Sequence, residues 1–260
     1  MTAVDKGLLE EAVGWARAAG DLTLNWFQSA ELGVDRKGDG SPVTAADKAA
    51  ERLLREAITA AYPDDTVRGE EEDDVVGTSG RCWVIDPIDG TKAFTHGVGL
   101  YSNLLYLEDE HGPAIGIINL PALGETVYAG RGLGCFLNGE PCRVSDREQV
   151  EGAYLSTTWF AEWSPEQFRA VTGAGLQLRT WGDAYGYALV ASGRIEAMYD
   201  PALAWWDIAA LLVVLPEAGG TITSATGGPA DSPVGDHEYA YSAIASNGRV
   251  HDQLVALLNP

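Results

Sequence analysis

The segment WVIDPIDGTKAF, residues 83–94, places two aspartates three residues apart directly after an apolar run. Like charges held close together repel, so Asp86 and Asp89 would need a bound cation or a shared proton to stay near each other. Asp, Pro and Gly are also common turn residues, and the same segment fits a strand that ends in a polar turn. The segment alone leaves both interpretations open.

Three more acidic residues lie at the ends of predicted elements. Asp47 falls in the first turns of a predicted helix, Glu70 follows a short predicted strand, and Asp207 begins the apolar segment WWDIAALLVVL. Carboxylate oxygens at such junctions suit hard cations, Mg²⁺ or Mn²⁺ in particular. The four histidines lack the spacing of a zinc site. The acids of 71–74 are interpreted as a solvated loop.

The residues after Asp89 could hold a phosphate group. Gly90 and Thr91 begin a short predicted helix, GTKAF. Backbone N–H groups at a helix start form a site for anions, and glycine permits close approach. One loop therefore offers both metal ligands and a phosphate site, and metal-assisted hydrolysis of a phosphate ester needs both.

Motifs in this chain resemble the inositol monophosphatase family in order and spacing. They are GEE at 69–71, DPIDGT at 86–91, and WD at 206–207 followed by EAGG at 217–220. The resemblance extends from the SPVTAAD segment to the SNG segment near the C-terminus. It implies an α+β fold, the layered αβαβα sandwich of the inositol monophosphatase and fructose-1,6-bisphosphatase type. It also implies Mg²⁺-dependent hydrolysis of a small phosphate ester, a homodimer and inhibition by lithium.

The resemblance assigns the metal ligands. Glu70, Asp86 and the carbonyl of Ile88 would hold one ion. Asp86, Asp89 and Asp207 would hold a second, and Glu70 with waters a third, weaker one. Two cations stabilise the attacking and the leaving oxygens of a displacement. The expected cofactor is therefore two or three Mg²⁺ ions, with Mn²⁺ as an alternative.

The resemblance also assigns the residues that bind phosphate and activate water. The N–H groups of Gly90 and Thr91 would bind the phosphate. The Thr91 hydroxyl and Asp47 would orient and help to deprotonate the attacking water, so Glu70, Asp47 and Thr91 are the catalytic candidates. No covalent phosphoenzyme is expected.

Residues outside the metal site must select the substrate, and three acids are candidates: Asp183, Asp200 and Asp207. Asp200 stands where inositol phosphatases typically carry Glu, and Asp183 stands where a small residue is usual. Acids facing the leaving group suit a cationic alcohol better than a neutral polyol, because an unpaired buried carboxylate is costly. WGDAYGY, YSNLLYLE and LPALGETVYAG resemble the histidinol-phosphatase branch. The expected substrate is histidinol phosphate, hydrolysed to histidinol in histidine biosynthesis.

Several alternatives stay open. Inositol-1-phosphate or a related sugar or cyclitol phosphate is the nearest rival substrate, and bisphosphates or nucleotides would need more basic residues. Asp183 could cap the following helix instead of contacting substrate. For Trp205, Trp206 and Tyr185, core packing is favoured over stacking on an imidazole. A non-catalytic role in transcription complexes is disfavoured by the intact ligand set.

The composition limits the partners. The 260 residues include 17 Lys and Arg against 38 Asp and Glu, a formal charge of −21, which argues against a nucleic-acid-binding face. Three cysteines without a CxxC pair are typical of a reducing compartment. Neither a signal peptide nor an apolar run of membrane-spanning length is recognised. We expect a cytoplasmic protein that acts on a small molecule and does not bind a membrane.

The elements that must position these residues form two mixed lobes. A helix is predicted over Val4–Phe27, and a glycine-rich loop leads to a second helix that ends before Pro63. Plausible residues for the start of that helix are Ser41, Pro42 and Thr44. Strands dominate from Leu100 to Val144, with a hairpin turn at NGE. The predicted lobes are 1–149, with most metal ligands, and 150–260, with Asp207 and the specificity residues.

Overall fold

The first half of the chain forms two long helices and a seven-stranded sheet. The computed structural model describes residues 2–29, 33–36 and 42–260, so Ser41 and most of the predicted glycine-rich loop lie outside the described residues. In chain order the elements are α1 (Lys6–Thr23), β1 (Val34–Arg36), β2 (Pro42–Thr44), α2 (Ala45–Ala61), β3 (Thr66–Gly69), β4 (Cys82–Asp89), α3 (Thr91–Thr95), β5 (Ser102–Asp109), β6 (Gly112–Leu120), β7 (Glu125–Gly130), β8 (Gly134–Leu137) and β9 (Glu140–Cys142). The large sheet keeps the chain order from β3 to β9. Its strands are antiparallel except for the parallel pair β3–β4.

The second half forms a five-stranded mixed sheet with helices on both faces. Its elements are β10 (Tyr154–Ser156), α4 (Pro165–Gly173), β11 (Gln177–Arg179), α5 (Asp183–Ala191), β12 (Ala197–Leu203), α6 (Trp205–Ala209), α7 (Leu211–Glu217), β13 (Thr221–Thr223), β14 (Tyr241–Ser246) and α8 (His251–Leu258). The strand order is β11-β10-β12-β14-β13. β10 is parallel to both of its neighbours, and β14 is antiparallel to both of its own.

Three apolar clusters stack these elements into layers. Residues of α1 and α2, such as Leu54, pack with Trp83 on one face of the large sheet. Residues of α5 and α7 pack with Tyr106 on its other face and with Met198 of the small sheet. Residues of α4 and α8, such as Leu254, cover the far face of the small sheet. The order helix, sheet, helix, sheet, helix confirms the predicted αβαβα sandwich.

The central cluster contains residues from both predicted lobes, because Tyr106 and Met198 belong to the same buried group. The lobe boundary at residue 149 stays a prediction. Within the described residues, every helix is too short or too polar to cross a lipid bilayer.

Local signals set the helix boundaries, with two corrections to the sequence-based prediction. α1 begins after Asp5, whose side chain accepts the Leu8 N–H at 2.9 Å. It ends at Thr23 rather than Phe27, and Leu24 is 40% exposed, so the helix's apolar face stops short of it. The predicted single helix of WWDIAALLVVLPEAGG is two helices that meet at Ala210.

Other predictions of local structure hold. Thr44 caps α2 in a capping box with Asp47, and the helix ends before Pro63. The NGE hairpin joins β8 and β9 through Asn138 and Gly139, which have φ angles of 51° and 93°. Positive φ at both central residues is the pattern of the tight turn that matches strand twist.

Candidate active site

A cleft of about 650 Å³ opens where β3, β4, α3, α5, β12 and α6 converge. Its lining is strongly acidic, with seven carboxylic acids: Glu70, Asp86, Asp89, Glu162, Asp183, Asp200 and Asp207. Among the described residues, its one basic lining residue is Lys92. All the predicted metal and substrate acids therefore face one cavity.

Three of these acids form a cluster that can hold a cation. One carboxylate oxygen each of Asp86, Asp89 and Asp207 lies within 4.8 Å of the other two. The pKa of Asp86 lies well above its ordinary value, mainly because the side chain is buried and also because the neighbouring carboxylates are negatively charged. Among the described residues, the buried Oδ1 of Asp86 has no hydrogen-bond partner. An unpartnered buried carboxylate oxygen amid like charges fits a hard cation, which such oxygens ligate.

A β-bulge turns Asp86 and Asp89 to the same side of the sheet. Residues three apart in a regular strand point to opposite faces. Here Asp86 pairs with Leu104 and Asp89 pairs with Ser102, so two residues of β4 lie opposite Asn103 alone. The extra residue restores a common face, as bulges next to active sites do. The two aspartates were predicted to follow the strand, and that placement is wrong, because both lie within β4.

Hydrogen-bond donors of the protein hold one carboxylate oxygen of Asp89 and one of Asp207. Asp89 Oδ2 accepts the Ser102 hydroxyl at 2.8 Å and the Ala184 N–H at 2.7 Å. Asp207 Oδ2 accepts the Ala204 N–H at 2.8 Å in the first turn of α6. Burial raises the pKa of Asp89 from 3.8 to about 6 and that of Asp207 well above its ordinary value. Both carboxylates are thus aimed before any ligand arrives.

Glu70 reaches the same cleft on a loop held from behind by α2. The buried Glu51 carboxylate accepts the N–H groups of Glu71 at 2.8 Å and Glu72 at 3.0 Å. Arg55 donates to Glu51 at 2.7 Å and to the Glu72 carbonyl at 2.8 Å. The charge of Glu70 contributes to the raised pKa of Asp86, although Glu70 does not belong to the group of three oxygens within 4.8 Å.

The sequence-based interpretation missed Glu51 and Arg55. Asp47, Glu51 and Arg55 follow one another at intervals of four residues, which places the three on one helix face. This spacing is the signal that could have identified them. The prediction that residues 71–74 are solvated is confirmed for 72–74, which are exposed, but not for Glu71, which is half-buried and donates its N–H to Glu51.

The predicted phosphate site has the expected local geometry. Gly90 has φ of 83° and precedes the five-residue helix α3. A Cβ on Gly90 would lie 2.8 Å from Asp183 Oδ2, so only glycine fits there without a shift. The Thr91 hydroxyl lies 3.0 Å from the Ile88 carbonyl and 3.4 Å from Asp47 Oδ1.

Asp47 is a buried acid with strong local donors. Its Oδ2 accepts the Thr44 N–H at 2.8 Å and the Thr44 hydroxyl at 2.6 Å. Burial outweighs these bonds and raises the pKa of Asp47 from 3.8 to about 6. An acid with that pKa is largely ionised at neutral pH and can accept a proton.

The two substrate-side acids differ in their surroundings. Asp183 is the first residue of α5, with φ of 52°, and Gly182 occupies the N-cap position. The role of Asp183, as a substrate contact or as a helix cap, stays a prediction. The buried Asp200 accepts the Thr158 N–H at 2.8 Å and the Tyr187 hydroxyl at 2.9 Å, so its carboxylate also holds the cleft wall together.

Aromatic residues frame the cleft. Trp205, Trp206 and Tyr185 pack against the central cluster, as predicted, although Trp206 also lines the cavity. The sequence-based interpretation missed Trp159, which is 52% exposed at the cleft, and Lys92, whose Nζ lies 4.7 Å from the centre of its ring. It missed Glu162 as well, because nothing in the sequence places residues 158–162 beside the metal ligands.

Comparisons with known proteins agree with this geometry. The model of the inositol monophosphatase family matches residues 5–259. The chain is 45% identical over 220 residues to the histidinol-phosphatase of Chlorobaculum parvum, covering 82% of this chain and 83% of that protein. It is 36% identical over 257 residues to the histidinol-phosphatase of Mycobacterium tuberculosis, covering 95% and 96%. The solved structure of a Thermotoga maritima IMPase superimposes with a TM-score of 0.84 at 30% identity, covering 97% of each chain.

Proposed function

Because the chain belongs to the inositol monophosphatase family and is a phosphoric monoester hydrolase similar to histidinol-phosphatases, we propose that it hydrolyses histidinol phosphate to histidinol with a divalent cation. Mg²⁺ is the proposed ion, with two or three bound and Mn²⁺ as the alternative. The proposal rests on the charge of the cleft and on the similarity to histidinol-phosphatases.

The main support for this substrate is the excess of acids that line the cleft outside the proposed metal cluster. Glu162, Asp183 and Asp200 line the substrate side of the cleft, and Lys92 is the only cation among the described residues that line it. Histidinol phosphate brings an ammonium group and an imidazole, which these carboxylates can pair. A neutral polyol would leave the Asp183 carboxylate without the ammonium partner, and burying an unpaired carboxylate is costly.

The proposed metal ligands are Asp86, Asp89, Asp207, Glu70 and the Ile88 carbonyl. The unpartnered Oδ1 of Asp86 and the close approach of the aspartate oxygens support this assignment. A divalent cation bound there would supply Lewis acidity toward the phosphate and the attacking water.

The chain's own residues would bind the substrate and take up a proton. The N–H groups of Gly90 and Thr91 would bind the phosphate oxygens, since they lie at the start of α3. Asp47 would accept the proton of the attacking water with the Thr91 hydroxyl, 3.4 Å away, as the orienting group. Asp183 would pair with the ammonium group of the leaving alcohol. Water attacks directly, and no residue is phosphorylated.

The test compares phosphate release from histidinol phosphate and from inositol-1-phosphate by the same preparation. We expect kcat/KM to be at least about tenfold higher for histidinol phosphate, which corresponds to about 1.4 kcal/mol of discrimination. Activity should disappear with a chelator and return with Mg²⁺. A preference for the inositol ester would refute the proposed substrate but not the assignment of the protein as a hydrolase. No release from either ester would favour a non-catalytic role.

The homodimer, the inhibition by lithium and the cytoplasmic location stay predictions. Sedimentation velocity and a lithium titration of the phosphatase reaction would test the first two.

A further inference from the structure

One buried amide lies directly opposite the bulge of β4. Asn103 is fully buried, and its position on β5 faces the two bulged residues Pro87 and Ile88. Its Nδ2 donates to the Pro87 carbonyl. The ladder shifts register at this point, and the side chain supplies a hydrogen bond to a carbonyl that the regular ladder does not serve.

The orientation of that amide is fixed from the other side. Asn119 Nδ2 donates to Asn103 Oδ1 at 3.2 Å, and the Thr126 hydroxyl donates to Asn119 Oδ1 at 3.0 Å. Helix α1 closes over the pair, since a Cβ on Gly20 would lie 2.2 Å from Asn119 and 2.7 Å from Asn103. With its oxygen engaged and no space to turn, Asn103 presents its nitrogen to Pro87.

The neighbouring residue on β5 holds the other end of the bulge. Ser102 donates to Asp89 Oδ2 at 2.8 Å. Ser102 and Asn103 therefore fix both the backbone between the two aspartates and one of their carboxylates. A buried amide is costly unless it is hydrogen-bonded, and here one bond to Pro87 and one from Asn119 hold the Asn103 side chain in this arrangement.

We propose that Asn103 is a positioning residue for the metal site, whose side-chain amide holds the β4 bulge that brings Asp86 and Asp89 to one side of the sheet. The inference rests on the proposed binding of a divalent cation by these aspartates. Without the donor, residues 87–88 lose the bond that opposes their return to a regular ladder. A shift of one residue would turn Asp89 to the opposite face.

The experiment measures Mg²⁺ binding to the full chain by calorimetry without substrate, together with phosphatase rates over a Mg²⁺ series. Asn103→Ala removes the donor, and Asn103→Ser replaces it should the alanine variant fail to fold. The control is Asn247→Ala, another buried amide that donates to a backbone carbonyl, that of Arg147, at 2.8 Å but does not line the cleft.

We expect the Asn103 variant to bind Mg²⁺ roughly 10–100-fold more weakly, as loss of a residue that orients metal ligands does. Its phosphatase rate at saturating Mg²⁺ should fall by a smaller factor than its affinity for Mg²⁺. The control should lose similar thermal stability and keep its Mg²⁺ affinity within about twofold.

Two results would overturn the inference alone: unchanged Mg²⁺ affinity in the Asn103 variant, or equal weakening in the control, which would mean general destabilisation. A wild-type protein that binds no divalent cation would overturn the proposed metal chemistry and this inference with it.

Discussion

Replacing Asp89 by asparagine should stabilise the metal-free protein while abolishing its metal-dependent activity. The two side chains have the same shape, and the asparagine oxygen can still accept the bonds from Ser102 and Ala184 that Asp89 Oδ2 accepts at 2.8 and 2.7 Å. The change removes one negative charge from the three carboxylates whose oxygens lie within 4.8 Å of one another.

The magnitude follows from the pKa of Asp89, which burial raises from 3.8 to about 6. Because the folded-state pKa lies above the unfolded value, the folded protein holds this proton more tightly, and stability is lost as pH rises between the two values. Above pH 6 the ionised group destabilises the metal-free folded state by about 3 kcal/mol. Asparagine carries no such penalty, so the variant should melt roughly 6–12 °C higher.

The assay is thermal denaturation in EDTA at pH 8 and at pH 5, followed by a Mg²⁺ titration. The stabilisation should be largest at pH 8 and shrink at pH 5. Mg²⁺ should raise the melting temperature of the wild type and leave the variant almost unchanged. Asp146→Asn, an exposed acid in surface ion pairs, should change stability by about 0.5 kcal/mol at most. A variant less stable than the wild type in EDTA at pH 8 would refute the reasoning.

Three further predictions concern the rest of the cleft. Gly90→Ala should destabilise more than Gly80→Ala, since both have φ of 83° but only the first Cβ meets another atom, at 2.8 Å; melting curves should show about 1–2 kcal/mol for Gly80, and equal losses would contradict the close approach. Asp47→Asn should lower kcat roughly 10²–10⁴-fold and remove the loss of activity that we expect of the wild type as pH falls through about 6; a pH–rate profile that keeps this limb would assign it to another group. Asp183→Asn should raise KM for histidinol phosphate more than for glycerol phosphate, and equal increases in steady-state kinetics would remove the argument from charge.

Local signals in the sequence were sufficient for the acids that sit at element ends. Asp47 belongs to a capping box, and Asp207 occupies the equivalent third position of α6, because a carboxylate there accepts the free N–H of the cap residue. The helix after Gly90 begins at a glycine with positive φ and no side-chain cap. These features depend on residues within four positions of one another, which a sequence displays directly.

Features that depend on distant contacts could not be predicted in the same way. The bulge of β4 is a property of its pairing with β5, and no periodicity within 82–89 reveals which strand carries the extra residue. Asn103 and Glu162 owe their positions in the site to elements that lie 16 or more residues away along the chain. The predicted end of α1 was wrong because Leu24 continues the apolar spacing of the helix but is exposed to solvent.

Two buried polar residues hold the backbone around the acidic cluster against the repulsion among its carboxylates. At 4.8 Å and an effective dielectric constant of about 20, two ionised carboxylates repel by about 3 kcal/mol, which would move unrestrained loops apart. Glu51 fixes the backbone after Glu70, and Asn103 fixes the backbone between Asp86 and Asp89. Both act from the buried side, away from the cleft, so they keep the carboxylates aimed without filling the space among them. Binding of the proposed cation would relieve this repulsion, and its free energy would add to stability in proportion to the logarithm of the ion concentration.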